Sequence, residues 1–161
     1  MARLALVTAG PSAIGTSLVI GLAGAGYDVG FTHLGQSDAA NALIAAVQSK
    51  GRRARAWESD ASDEAQVLAF HAEAAAWGNT APSVMVNNAG IQTWSSLLDL
   101  KVDDWNRVMA TNLRGTFLNT QAAARAMVAA GQGGAGGGGI PGMSPTGLMD
   151  GVAYDGLLKS L

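Results

Sequence analysis

Residues 4–26, LALVTAGPSAIGTSLVIGLAGAG, decide the fold. Leu4, Leu6, Val7 and Thr8 form an apolar and β-branched run that passes directly into the small-residue cluster Ala9, Gly10, Pro11, Ser12, Ala13 and Gly15. Beyond it Ile14, Leu18, Val19 and Leu22 recur at helical spacing, so the stretch predicts strand, tight turn and helix. Such a turn leaves backbone N–H groups bare at a helix N-terminus, where the amides and the positive end of the helix dipole suit a phosphate.

The same alternation continues down the chain. Gly26 ends the first helix, and residues 28–32 read as a short strand. A second helix is expected from a cap at Ser37 through Ala42, Leu43, Ala46 and Val47 to Gly51. Residues 53–57 alternate as a third strand. Ser62, with Asp63 and Glu64 after it, opens a third helix with the apolar stripe Val67, Leu68, Phe70, Ala74 and Trp77. Residues 82–86 give a buried strand ending in Asn87-Asn88-Ala89-Gly90.

Strands separated by helices of this length imply parallel, right-handed βαβ units and a doubly wound sheet. The clusters at residues 9–15 and 87–90 both fall at strand carboxyl ends, so they should face each other across the crevice where strand order reverses. Residues 105–109 and 113–128 read as one long helix or two abutting ones, whose Ala-rich faces cover the sheet or make a subunit contact. From Gly131 the run GQGGAGGGGIPG changes the character of the chain. Residues 1–130 are therefore expected to form one domain, 131–147 a flexible Gly-rich loop without a fifth strand, and 148–161 a short helical segment. Without that strand the fourth would be an exposed edge.

Composition narrows the function. At 161 residues, 48% hydrophobic and 14% charged, the chain suits one domain with a substantial core. A net charge of −2 offers no footprint for nucleic acid. Arg52, Arg53 and Arg55 read as a solvated turn. With no Cys and only two His, disulfides, thiolate chemistry and a metal site are not expected, and His71 reads as a partly exposed surface residue. No apolar run reaches the length of about 18 residues that a membrane span needs, and MARLALV lacks a signal-peptide pattern. The expectation is a cytoplasmic protein.

Together these stretches resemble the short-chain dehydrogenase/reductase family, from residue 4 to about 131. Its opening Thr-Gly-three residues-Gly-apolar-Gly pattern is matched by Thr8, Ile14 and Gly15, with Ala9 and Ala13 in place of two glycines and Gly10 beside the first. Asn87-Asn88-Ala89-Gly90 stands whole. Asp60 matches the Asp after the third strand, and Asn112, Leu113, Gly115 and Phe117 match a helical Asn-Leu-x-Gly-x-Phe. Each match also has a plain structural reading: a tight connection, strand-capping Asn residues, a helix-capping Asp60, and a mid-helix Asn112 bonded to a backbone carbonyl.

The resemblance implies a Rossmann-like, doubly wound α/β sheet, incomplete at its C-terminal side. It also implies hydride transfer between a nicotinamide cofactor and a small-molecule alcohol or ketone. Pyrophosphate would lie over Thr8, Gly10, Ser12, Ile14 and Gly15, adenine near Asp60 and Ala61, and ribose along Asn88, Ala89 and Gly90. At the end of the second strand His33 and Leu34 stand where a carboxylate would select NAD, which favours NADP over NAD. Asn112, Ser144, Tyr154 and Lys159 are the implied catalytic set, and residues 103–130 the implied homo-oligomer contact.

Several departures bear on activity. Ala13 adds a methyl group where backbone must approach the pyrophosphate, whereas Ala9 is the milder change. Lys159 follows Tyr154 by five residues rather than four, about 140° around a helix instead of about 40°. Residues absent after Asp155 explain that spacing better than a bulge. Ser144 is the sole Ser available upstream. The alternatives are an inactive nucleotide-binding module and an interaction partner of a complete homologue.

Overall fold

In the first strand, β1 (Arg3–Val7), every residue after Arg3 is buried. The two-residue period of a strand divides these side chains between opposite faces of the sheet. Leu4 and Leu6 enter a core with Trp57, Phe70, Ala74, Met85, Ala123 and Met127. Val7 enters the other, with Val19, Ala23, Val29, Phe31, Ala40, Leu43 and Val47. Burying one such aliphatic side chain contributes roughly 1.5–3 kcal/mol, so a central strand feeding two cores fixes its register firmly.

The computed structural model describes residues 3–131 and 135–138. After β1 come α1 (Ala13–Gly24), β2 (Tyr27–His33), α2 (Ser37–Gln48), β3 (Ala54–Glu58), α3 (Glu64–Gly78) and β4 (Pro82–Asn87). Then follow α4 (Val102–Met109), a π-helical turn at Ala110–Arg114, α5 (Gly115–Ala129) and β5 (Ala135–Gly138). The strands lie in the order β3-β2-β1-β4-β5, and each pairing is parallel. Helices α1 and α2 supply one core and α3 and α5 the other, as the doubly wound expectation requires. Strand order reverses between β1 and β4.

The helix starts differ in detail. Gln36, not Ser37, precedes α2 and makes no capping side-chain bond. Asp63, not Ser62, caps α3, its carboxylate accepting from Gln66 N. Leu68, expected in the apolar stripe, is about half exposed, whereas His71 is 8% exposed, correcting its expected surface position. Arg52 and Arg53 are not merely solvated: both reach the buried Asp28, at 2.8 and 2.7 Å. Burial pushes the Asp28 carboxyl up, but hydrogen bonds and charge from Arg53, with Arg52 added, outweigh it and hold the group below the usual carboxylate range.

The segment expected to be loop holds a fifth strand. Strand β5 pairs with β4 from Val84↔Ala135 to Asn87↔Gly138, so β4 is not an edge. A parallel ladder is built from backbone N–H and C=O groups alone. Side-chain pattern, the signal by which a strand is read from sequence, is missing in a glycine run that β4 nevertheless templates. Residues 132–134 and 139–161, including Ser144, Tyr154 and Lys159, lie outside the described residues.

Candidate functional site

The carboxyl ends of the strands are stitched together by their own backbone. Thr8 N donates to Val86 O, Gly10 N to Thr32 O and Ser59 N to His33 O, all at 2.9–3.0 Å. The turn after β1 is thereby anchored on both sides. Ala9 N donates to Thr32 Oγ1 at 3.2 Å, and Ala9 O accepts from Ser12 N at 3.2 Å. These bonds hold Ala9 at φ 53°, a left-handed conformation that disfavours any residue with a Cβ. The heavier backbone cost therefore falls on Ala9, whereas Ala13 is an exposed first residue of α1.

The two glycines of the turn are required by contact. A Cβ on Gly10 would sit 2.7 Å from Phe31 Cγ, and one on Gly15 would meet the backbone oxygens of Ala9 and Gly10. Ser12 caps α1, its Oγ accepting from Gly15 N at 3.0 Å. The amides of Ala13 and Ile14 have no intrahelical acceptor at this helix start, and the Ile14 side chain is 70% exposed beside them.

The corner after β4 closes directly onto this turn. Thr8 Oγ1 accepts from Asn88 N and Ala89 N, both at 2.9 Å. Asn88 Nδ2 lies within hydrogen-bond distance of Thr8 O, Ala9 O and Ser12 Oγ, at 3.0–3.1 Å. The two corners are thus one unit, as expected of clusters facing each other across the crevice. Asn87 lies beneath, its Nδ2 donating to Thr120 Oγ1 at 2.9 Å while its buried Oδ1 has no partner among the described residues.

The remaining candidates lie along the same rim. His33 ends β2 opposite Glu58; it is buried, and its Nδ1 accepts from Gln36 N at 3.4 Å, while Leu34 is exposed. Asp60 Oδ1 accepts from Ser62 N and Ser62 Oγ at 2.8 and 2.7 Å. Neighbouring Ala61 packs against Gly115, whose Cβ would lie 2.7 Å from Ala61 O. Asn112 sits in the π turn and is buried. Its Nδ2 donates to Ile91 O and its Oδ1 accepts from Ile91 N, both at 2.8 Å. Asn112 thus holds the chain leaving Gly90.

Sequence reasoning missed Thr32, Phe31, the π turn and the His71–Asn119 pair. Thr32 and Phe31 occupy ordinary strand positions, so nothing local marks them. Burial drives the His71 pKa down to about 4, against a smaller upward pull from Asn119. Among the described residues no group of three or more His, Cys, Asp or Glu could hold a metal, and no helix is long and apolar enough to cross a membrane.

A parallel sheet with a small-residue turn at its switch point, hydrogen-bonded to an Asn-Asn-Ala-Gly corner, defines a doubly wound α/β protein of the Rossmann type. A family model described as short chain dehydrogenase matches residues 3–136. The chain belongs to the short-chain dehydrogenase/reductase family. It is 38% identical over 134 residues to human (3R)-3-hydroxyacyl-CoA dehydrogenase, covering 80% of this chain and 51% of that protein. Acetoin dehydrogenase from Enterobacter cloacae superposes with TM-score 0.82 and 32% identity over 100% of this chain and 64% of its own. A short chain dehydrogenase from Burkholderia cenocepacia, in complex with NADP, gives 0.79 and 31% over 96% and 62%. The chain spans about half the length of the curated relatives it matches.

Proposed function

We propose that the chain is an NAD(P)-dependent oxidoreductase that moves hydride between a nicotinamide and an alcohol or ketone, with NADP as its nucleotide. The observation that carries this reading is the bonded contact between the two corners, Asn88 Nδ2 to Ala9 O and Ser12 Oγ. The residues fit such a group: Gly15 leaves a cradle that a Cβ would fill, the Ala13 and Ile14 amides lack intrahelical acceptors, and Ile14 offers apolar surface beside them. Thr8, Gly10, Ser12, Ile14 and Gly15 would hold the pyrophosphate, Asp60 and Ala61 the adenine, and Asn88, Ala89 and Gly90 the ribose. His33 and Leu34, in place of a carboxylate at the end of β2, support NADP, as does the NADP complex of the Burkholderia relative.

When bound, the nicotinamide supplies or accepts hydride. This chain's residues do the rest: Asn88 braces the turn, Asn112 fixes the backbone at Ile91, and the Tyr154 hydroxyl exchanges a proton with the substrate oxygen. Ser144 would steady the carbonyl. Lys159, one residue beyond the family spacing, favours a second reading in which the nucleotide binds without turnover. Titration calorimetry with NADPH and NADH tests the site, and absorbance of reduced nicotinamide over a panel of alcohols tests the chemistry. The expected result is tighter NADPH binding, with turnover lost in Tyr154→Phe. Binding without turnover favours the second reading, and binding of neither nucleotide overturns both.

Self-association through α4 and α5 belongs to the same reading. Met109, Ala110, Leu113 and Phe117 line an apolar groove, with Asn106 and Arg114 beside them, and Trp105 and Phe117 are each 53% exposed. Light scattering should give a multiple of the chain mass that Phe117→Glu reduces; a monomer at high concentration would refute it.

A further inference from the structure

We propose that His71 is a positioning residue: through Asn119 and Gly115 it fixes where the regular helix of α5 begins, and so holds Asn112 on the backbone of Ile91. The pair is buried, His71 at 8% and Asn119 at 1% exposure, where unpaired polar groups are costly. Asn119 Nδ2 donates to Gly115 O at 3.0 Å, which turns Oδ1 toward His71 Nε2 at 3.2 Å. The imidazole therefore carries its proton on Nε2, and its Nδ1 is the nitrogen without a partner among the described residues. A slip of α5 by one residue would move Asn119 about 1.5 Å along the axis and about 100° around it. The hydrogen bond would be lost. An apolar contact would tolerate such a slip; this pair does not.

The register matters because of what precedes it. The π turn ends at Arg114, with Gly115 N donating to Ala110 O, and a π turn carries one extra residue that rotates everything before it relative to everything after. Its location decides whether Asn112 faces Ile91. Four contacts pin it. Gly115 is pressed against Ala61 with no room for a Cβ, Thr116 Oγ1 donates to Asn112 O at 2.7 Å, Asn87 Nδ2 of β4 donates to Thr120 Oγ1 at 2.9 Å, and the His71–Asn119 pair ties the start of α5 to α3. Of these, only the last reaches another helix through side-chain hydrogen bonding.

The consequence for nucleotide binding rests on the function proposed above; the consequence for Ile91 does not. The Ile91 N–H donates to Asn112 Oδ1, so its hydrogen exchange reports the position of Asn112 directly, with no cofactor present. In His71→Phe, Ile91 should exchange about tenfold faster than the change in global stability explains, the latter read from the Val29 and Phe31 amides of β2. His71→Gln, which keeps an amide donor near the Nε2 position, should return Ile91 close to the wild-type rate. NADPH affinity, read by fluorescence titration, should fall about fivefold in His71→Phe and recover in His71→Gln. Equal acceleration of Ile91 and β2, or a His71→Gln protein indistinguishable from His71→Phe, overturns the proposal. If His71→Phe does not fold, Asn119→Ser, too short to reach both partners, must give the same selective acceleration at Ile91. If the wild type does not bind NADPH, the proposed function fails, and the exchange rates alone decide the role of His71.

Discussion

Replacing Ala9 by glycine should stabilise this protein. Ala9 is held at φ 53° by Thr32 Oγ1 on its N–H and by Ser12 N and Asn88 Nδ2 on its carbonyl, so it cannot relax without breaking bonds on three neighbours. The left-handed region costs a residue with a Cβ roughly 1–2 kcal/mol. Glycine removes that strain but raises the entropy of the unfolded chain, which costs about 0.4–1 kcal/mol. The net gain is about 0.5–1 kcal/mol, or roughly 2 °C in Tm for a domain of this size. Ala13→Gly makes the control. Ala13 is exposed in the first turn of α1, where glycine removes no strain and loses some helix propensity, so its Tm should fall or stay level. Urea denaturation of both variants, with unchanged m-values, reads the change in stability, and the Ala13→Gly control carries the same unfolded-chain entropy cost. A lower midpoint in Ala9→Gly than in the wild type would refute the strain assigned to the turn.

The other expectations follow from the same contacts. Gly15→Ala forces a methyl group into the backbone oxygens of Ala9 and Gly10; it should cost about 1–3 kcal/mol by urea denaturation and abolish nucleotide binding in titration calorimetry. Asn88→Ala removes the donor shared by Thr8 O, Ala9 O and Ser12 Oγ and should cost about 1–3 kcal/mol, measured by urea denaturation. His71 stays neutral in the fold down to about pH 4, against the ordinary histidine value of 6.5. The unfolded chain therefore binds the extra proton first, so stability holds above pH 6.5, falls as pH drops toward 4 and levels off below. Between pH 7 and pH 4.5 the wild type should lose about 2.5 kcal/mol more than His71→Gln. Equal losses would place the imidazole in contact with solvent.

Much of this arrangement was legible because it is written in local pattern. The Leu4, Leu6 and Val7 run, the small residues to Gly15 and the Asn87–Gly90 corner each carry a local signal, and parallel topology brings the two corners to one switch point. What escaped had no such signal. The left-handed Ala9 is set by Thr32 and Asn88, far away in the chain. The π turn looks like any helical stretch, since its extra residue changes no spacing until the flanking helices are packed. The burial of His71 has no local signal because its partner, Asn119, lies on a different helix 48 residues away. Glycines in β5 lack the only property by which a strand announces itself.

That fifth strand has its own logic. With Gly136, Gly137 and Gly138 in register beside Met85, Val86 and Asn87, recognition runs through amides and carbonyls, which every residue type except proline presents alike. The choice of which stretch lies beside Asn87 is delegated to the length of the connection from α5, making insertions and deletions between Ala129 and Ala135 more disruptive than substitutions within the strand.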